Sequence, residues 1–521
     1  MRVGLKLGVG LAAAMVTAAG CASPLASSSQ DDLRRSVLES ARRDLAEASE
    51  YPEVRQTERA DPSVPDRLPP RVLDELNRMA GPEAYLDMGA ALPPGTQDLL
   101  GRPQQTVSLD LQRAVRTAVG RNLDIEFARL EPAIGESNVV QANAAFDWVF
   151  FQNLEWANTD NQAQAQTAFF SAFDARQTLT STTGLQKALT SGGAITLEQQ
   201  LSYIDNYTIE GTEFTPDPAF DLTLRAQLDQ PLLRDFGSDF ALAQVRLNRN
   251  AERDSIAGLR ATLLDTILNT EVAYWDLWQA HRNVLIIREL LGRGETVRDQ
   301  VEERRIIDAT PAQIADATAR VEDRKRLLLE AENNLRAASD QLKLLINDPQ
   351  LDVGTELVLL PLDNAVDEAI FFSKIDALSN AIGKRPEVQQ AILSMDNTAI
   401  NQDVAQNQRL PQLDLRAEIR YNALEDGFDE TYAEAFDGEL IDYLVGMFYE
   451  QPIGNRAAEA EFRQRRLERM QAGISYRNTI RNVVFEVERA LDDVVTFYRL
   501  VEQTRDARLA ATEVLRALLV E

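Results

Sequence analysis

The chain has 521 residues, with 54 Lys and Arg against 82 Asp and Glu, so its formal charge is −28. General nucleic-acid binding needs clustered positive charge and is disfavoured by so acidic a composition. A single His and a single Cys exclude multi-histidine and Cys-based metal sites, iron–sulfur clusters and an intramolecular disulfide, and no cofactor is expected.

The first 20 residues have the pattern of a secretory signal. Arg2 and Lys6 precede an apolar run of about 13 residues, Leu7–Ala19, and small residues lead up to Cys21. The stretch resembles a bacterial lipoprotein signal, which implies that Cys21 carries the lipid after cleavage and that the chain is anchored in the outer membrane. A soluble secretory signal with an incidental Cys is the alternative. Residues 21–104 predict a tether or collar with short helical pieces interrupted by Pro.

The body of the chain reads as a duplication. Ala118–Ile125 matches Ala381–Val388 at an offset of 263, and Gln230–Gly237 is echoed by Gln451–Gly454 at an offset of 217. The change of offset places about 46 extra residues in the first half. The predicted boundaries are repeat 1 at 105–350, a linker at 351–368 and repeat 2 at 369–521.

Within each half the apolar period changes from helix to strand. Leu109–Ala145 and Ile370–Gln408 have helical spacing, whereas Phe220–Asp229 and Leu413–Tyr421 alternate apolar and polar residues. Two further apolar alternations are Trp148, Phe150, Leu154 and Trp156, and Ile195, Leu197, Leu201 and Tyr203. Strands are therefore predicted at about 147–231 and 411–452. Their length suits a membrane barrel, which needs ~9–11 residues per crossing, although an ordinary sheet with one solvated face shows the same alternation.

Long helices are predicted after each strand region. Apolar and small residues recur at spacings of three and four, which predicts a heptad seam. The seam positions are 256, 259, 263, 267, 270, 274, 277, 281 and 284 on the outgoing helix, and 328, 331, 335, 338, 342 and 345 on the return. The chain should reverse near Asp299–Ala312, with Pro311 in the first turn of the returning helix. This gives a helical hairpin at 237–347, and a second long helix is predicted at 454–521.

Two corners should join strands to these helices. Pro231 and Pro452 lack an N–H donor and can end a strand, and Gly237 and Gly454 permit the turn. The side chains expected to cap the following helices are Ser238, Asp239 and Asn455.

This order of elements resembles the TolC-like outer-membrane efflux protein family. The motifs that carry the resemblance are Val107–Leu109 with Ala118–Asn122, Gln230–Gly237, Thr270–Leu277 and Gln451–Arg456. It implies an α+β membrane protein and a homotrimer, in which the strands close one shared outer-membrane β-barrel continued by a periplasmic α-helical barrel. Two strands per repeat would give 12 in a trimer, and an extra hairpin in repeat 1 would give 18.

The resemblance implies a passive conduit for efflux or type I secretion that docks on a periplasmic adaptor and an inner-membrane pump. No enzymatic activity is expected, because Cys–His or Ser–His catalysis would depend on His281 alone and the sequence has no Gly-rich phosphate loop. The candidate periplasmic tip comprises Arg304, Arg305, Asp308 and Pro311. It lacks the Gly that family tips commonly carry.

The 217 offset aligns Glu521 with Arg304, so the returning helix of repeat 2 is expected to be missing from a truncated chain. The alternative function is a non-transporting periplasmic coiled-coil lipoprotein or a non-functional relic. The exported substrate is left open by the sequence.

Overall fold

The computed structural model describes residues 69–79, 105–160, 173–208, 216–365, 370–437 and 440–520. The predicted signal, Cys21 and most of the predicted tether lie outside these ranges. The chain divides into two compact units. The sheet unit includes Ile134–Asp254 and Ala391–Arg477, and the hairpin unit includes the described residues up to Ala133, Ser255–Gln390 and Asn478 onward.

The described residues contain ten α-helices and eight strands. The helices are α1 Pro70–Met79, α2 Leu111–Arg121, α3 Leu123–Asn143, α4 Ser238–Ala241, α5 Ala243–Glu303, α6 Pro311–Ile346, α7 Lys374–Lys384, α8 Pro386–Asn407, α9 Phe428–Asp437 and α10 Arg456–Val520. The strands are β1 Thr106–Leu109, β2 Trp148–Asp160, β3 Phe173–Ala188, β4 Ala194–Thr208, β5 Ala219–Pro231, β6 Val358–Pro361, β7 Gln412–Glu425 and β8 Ile441–Glu450. Among the described residues, no helix combines the length and the apolar character that crossing a bilayer requires.

The two segments predicted to be helical are each broken once, at the motif that recurs in both halves. Asn122 and Arg385 are both extended, with ψ of 132°. The Asn122 side chain accepts hydrogen bonds from the backbone N–H groups of Asp124 at 2.9 Å and Ile125 at 3.3 Å, and so caps α3. Arg385 precedes Pro386, which disfavours a helical conformation at the preceding residue. Different residues therefore produce the same break.

The sheet unit is built on an antiparallel sheet of six strands in the order β2-β3-β4-β5-β7-β8. Pairing of β5 with β7 joins segments that lie far apart in the sequence, for example Leu222 opposite Ala423. Between α3 and α4 there are four strands, and between α8 and α10 there are two. The strands β3 and β4 thus account for the extra residues in the first half.

The hairpin unit has its core around a short parallel pair of strands, β1 and β6. Against this pair pack buried residues of α5 and α6, including Tyr274, Leu277, Leu335 and Leu342. The predicted heptad seam is buried from Thr270 to Val284, and His281 on this seam is 2% exposed. Ile256, at the start of the predicted seam, is 50% exposed, so the seam is shorter than the sequence pattern.

A buried tyrosine ties these core elements together by hydrogen bonds. The Tyr274 hydroxyl lies 2.7 Å from Oδ2 of Asp363 and 3.1 Å from the carbonyl oxygen of Leu109. The same Asp363 oxygen accepts from the backbone N–H of Leu111 at 2.6 Å. Burial raises the pKa of Tyr274, so the hydroxyl stays protonated and remains a donor.

Candidate membrane-facing sheet and helical corners

One face of the six-stranded sheet carries large apolar side chains on every strand, with polar exceptions that include Lys187 and Gln199. In an antiparallel sheet, directly opposed residues project to the same side, so the strand register assigns each residue to a face. The apolar face carries Trp148, Phe150, Leu154 and Trp156 on β2, Leu179 and Leu185 on β3, Ile195, Leu197, Leu201 and Tyr203 on β4, Phe220, Leu222 and Leu224 on β5, Ile419 and Tyr421 on β7, and Tyr443, Val445 and Met447 on β8. The apolar stripes predicted separately for β2, β4, β5 and β7 form one continuous surface.

The opposite face is polar, and several of its charged groups are paired, in two cases across strands and in one case along β7. The ion pairs are Arg225–Glu198 at 2.6 Å, Arg416–Asp229 at 2.7 Å and Arg420–Glu418. Neutral groups continue the pattern: the hydroxyl oxygens of Thr180 and Ser202 lie 3.1 Å apart, and Asn422 donates to Asp442 at 2.8 Å. Such a surface is suited to water, because charged and polar side chains are costly to place against hydrocarbon.

The first strand-to-helix corner follows Pro231, the last residue of β5. Gly237, with φ of 104°, immediately precedes α4, and its N–H donates to the carbonyl of Ser191 in the β3–β4 turn at 3.0 Å. In that turn Gly192 has φ of 90°, and an added Cβ would lie 2.1 Å from the carbonyl oxygen of Asp235. Glycine is therefore required at both positions, one for the corner and one for the turn against it.

The second corner follows β8 and contains Pro452, Gly454 with φ of 90° and Asn455 with φ of 37°. The Asn455 side chain donates to the carbonyl of Arg409 at 3.0 Å. The Arg409 guanidinium in turn pairs with Glu459 at 2.8 Å. The predicted glycines thus lie where the chain turns.

The side-chain caps expected at the first corner are wrong. Gly237 is the residue before α4 and no side chain caps that helix. Asp239 pairs instead with Arg246 at 2.6 Å, and the Asn455 amide binds Arg409 as described. Near the first corner Asp403 is half-buried on α8, and this burial raises the pKa of its carboxyl.

The predicted tip residues lie together at the end of the α5–α6 hairpin. Arg304 begins a single 3₁₀ turn and pairs with Asp308, and this arginine holds the pKa of Asp308 below its usual value. Thr310 and Gln313 form a capping box, with Pro311 in the first turn of α6 as predicted. No role for Arg305 beyond its place in the turn is evident from its contacts.

The tip also has apolar features that the sequence did not single out. Ile306 is 95% exposed and Ile307 is 81% exposed. Beside them lies a groove of about 410 Å³ lined by Val297, Val301, Ala309, Ala317, Gln313 and several charged residues of both helices.

Helix α9, between β7 and β8, was not expected from the sequence. It packs on the apolar face of the sheet, where Ala435 forms a buried cluster with Leu222 and Ala423. Its acidic composition and short length hid it, because a loop between two strands would have the same composition.

No protein-family model matches the chain, and no curated protein matches its sequence. Among solved structures, the outer-membrane channel CmeC of Campylobacter jejuni is 15% identical, with a TM-score of 0.54 over 79% of this chain and 75% of that one. The outer-membrane protein VceC of Vibrio cholerae is 15% identical, with a TM-score of 0.54 over 78% and 84% of the two chains. A membrane protein from Pseudomonas aeruginosa is 17% identical, with a TM-score of 0.53 over 84% and 87%.

The chain has a TolC-like fold. The resemblance inferred from the corner and helix motifs is thereby confirmed at the level of the fold. In this TolC-like chain the sheet is open, because β2 and β8 are its two edge strands. The fold class predicted from the sequence is confirmed as a mixed helix and sheet architecture, while the trimer and the closed barrel stay predictions.

Proposed function

We propose that the chain is the outer-membrane channel subunit of an efflux or type I secretion system. The observation that carries this proposal is the apolar face shared by all six strands, opposite a polar face with paired charges. In lipid, only a closed sheet leaves no unpaired backbone edge. A strand needs ~9–11 residues to cross a bilayer, and the six strands have 10 to 16 residues.

Closure of the barrel would come from other copies of the chain. The edge strands β2 and β8 run in opposite directions, since every neighbour in the sheet is antiparallel. Therefore β8 of one copy can pair with β2 of the next and continue the same alternation. In the proposed homotrimer, six strands per chain correspond to the 18-stranded alternative. Barrels of ~16–18 strands leave an aqueous channel.

The polar face would line that channel. Its acidic side chains outnumber its basic ones: the acids are Glu155, Glu198, Asp221, Asp229, Asp414, Glu418, Asp442 and Glu450, and the bases are Arg176, Arg225, Arg416 and Arg420. Acidic linings attract cations and repel anions. We therefore expect a water-filled conduit with a preference for cations.

The other elements of the proposal concern anchoring and partners. Cys21 would carry the lipid anchor, and the two halves of the chain would be a duplication. The hairpin unit would lie in the periplasm, where its tip around Arg304 and Asp308 would meet an adaptor that links the channel to an inner-membrane pump. The exposed Ile306 and Ile307 support the tip as a docking surface, because apolar side chains of this size at a surface are typical of interaction sites.

The proposal is tested by reconstituting the purified chain in planar bilayers and comparing two adjacent substitutions on β8. Val445 is on the apolar face and Leu444 is on the polar face. A Lys on the lipid face costs about 2–4 kcal/mol at the bilayer midplane. We expect Val445→Lys to abolish insertion and conductance, and Leu444→Lys to insert and conduct.

Native mass spectrometry of the detergent-extracted complex complements this test. A lipidated trimer is expected, and Cys21→Ser should lose the mass of the lipid. Equal behaviour of the two Lys variants, or a monomer without conductance, would contradict the channel and favour the coiled-coil scaffold instead.

A further inference from the structure

Helix α9 is seated firmly on the apolar face. Leu222 is 0% exposed and Ala423 is 1% exposed, although both lie on the face that is open elsewhere on the sheet. The hydroxyl of Tyr432 on α9 accepts a hydrogen bond from the Gln199 side chain, and the ring of Phe428 lies edge-on to Phe220, with 6.0 Å between centroids. The helix thus covers the part of the surface that the beginning of β5 and the end of β7 contribute.

The outer side of α9 is acidic, although Phe436 is also exposed, at 76%. Asp429, Glu430 and Asp437 are exposed on it, and the helix contains no basic residue. The neighbouring Glu434 is only half-buried. Ionised carboxylates are costly in a bilayer interior unless they are paired or face a water-filled cavity.

The position of α9 along the strands determines how deep in the membrane its carboxylates would lie. Its first residue meets Phe220, and its last turn borders a cavity of about 670 Å³ whose walls include Leu224, Ile419 and Phe436. Ten residues of helix extend ~15 Å. β5 has 13 residues, and ~9–11 residues are needed to cross a bilayer. Only a few residues at the ends of β5 can therefore lie outside the membrane. The C-terminal part of α9 therefore lies at the depth of the hydrocarbon.

We propose that α9 is a removable cover, and that the strand surface beneath it is a second lipid-binding surface that is exposed when the sheet enters the membrane. The proposal rests on the proposed function, which places the apolar face against lipid. Before insertion, α9 shields this part of the face from water through Ala435 and Tyr432. On insertion, acyl chains replace α9 on Leu222, Leu224 and Ala423, and the acidic helix moves to the aqueous side.

The test uses single cysteine variants of the full chain reconstituted in lipid vesicles and treated with a membrane-soluble maleimide, with intact mass as the readout. Leu222→Cys probes the covered surface and Val445→Cys the open part of the same face. Thr223→Cys is the matched neighbour on the polar face. Maleimide treatment of the wild-type chain is the control that measures any reaction at Cys21.

Removal of the cover predicts that Leu222→Cys and Val445→Cys react at comparable rates, and that both react more slowly than Thr223→Cys, because a thiol in hydrocarbon ionises less than one facing water. If Leu222→Cys is slower than Val445→Cys by about tenfold or more, α9 stays in place and the cover proposal is overturned while the channel stands. If Val445→Cys reacts as fast as Thr223→Cys, the face is in water and not in lipid, and both proposals fall.

A disulfide lock gives a second measurement. Ala423 and Ala435 are small, buried and in the same cluster, so Ala423→Cys combined with Ala435→Cys is designed to hold α9 on the sheet under oxidising conditions. We expect oxidation to block insertion, reduction to restore it, and the single variant Ala435→Cys to insert under both conditions. Insertion of the oxidised double variant, with its disulfide verified by mass, would overturn the proposal.

Discussion

Replacing Tyr274 by Phe tests the hydrogen-bonded centre of the hairpin unit with a change of one oxygen atom. Tyr274 is 0% exposed, so water cannot replace the lost hydroxyl without rearrangement. The hydroxyl has a single proton, and the shorter of its two contacts, 2.7 Å to Asp363, identifies the main acceptor over Leu109 at 3.1 Å. It also accepts from the backbone N–H of Asp363 at 3.2 Å.

The magnitude follows from these bonds. A hydrogen bond to a charged group contributes about 1.5–3 kcal/mol, and an unsatisfied buried N–H adds a cost of the order of 1 kcal/mol. The Asp363 carboxylate keeps its bond from Leu111 at 2.6 Å, which limits the damage. We therefore expect Tyr274→Phe to destabilise this region by about 2–4 kcal/mol, which is a change of roughly 30- to 700-fold in the opening equilibrium.

Hydrogen–deuterium exchange with mass spectrometry on the peptides that contain Leu111 and Asp363 measures this opening directly. The matched control is Tyr476→Phe, because Tyr476 is also buried, at 3% exposed, and no hydrogen bond of its hydroxyl is found within the described residues. Asp363→Asn should be milder than Asp363→Ala, since the amide oxygen can still accept. If Tyr274→Phe and Tyr476→Phe change the exchange rates of these peptides by the same factor, the hydroxyl of Tyr274 does not stabilise this region.

Three further predictions concern other parts of the fold. Gly192→Ala should destabilise the sheet unit by about 1–3 kcal/mol in urea unfolding, because its Cβ would meet the Asp235 carbonyl. The control Gly473→Ala should stabilise the protein by about 0.5–1 kcal/mol, because there is open space around this helix position. Equal effects of the two substitutions would contradict the clash at Gly192. Leu342→Ala should cost about 2–5 kcal/mol in thermal or urea unfolding, since the side chain is 0% exposed, and a cost below about 0.5 kcal/mol would argue against this core. Burial raises the pKa of Asp403, so its ionised form disfavours folding, and this penalty disappears as the pH falls through the raised pKa. The free energy of unfolding of Asp403→Asn should therefore exceed that of the wild type near about pH 8, and the difference should shrink toward about pH 4. A difference that is constant with pH would contradict this expectation.

Local features of the sequence predicted most of the elements. Strict alternation at Phe220–Asp229 and Leu413–Tyr421 predicted strands, and both are strands. The long helices, the reversal before Pro311 and the glycine corners followed from period, breakers and missing donors, which act over a few residues. The same local pattern could not distinguish a membrane sheet from a solvated one.

The helix cap expected at the first corner is absent. A Ser or Asp near a helix start has a strong local preference for capping, but no side chain caps the helix after Gly237, and Asp239 pairs instead with Arg246, seven residues further along the chain. At the second corner Asn455 immediately precedes α10, and its side-chain amide donates to the Arg409 carbonyl.

The sequence by itself determined the periods, the corners and the chain reversals, because these depend on residues within one or two turns of each other. Only the tertiary structure decided that β5 pairs with β7, that β3 and β4 enter the same sheet, and that α9 lies on the apolar face. It also decided that Tyr274 and Asp363, which are 89 residues apart, share a buried bond. These contacts depend on register and packing between segments distant in the chain, which no local period encodes.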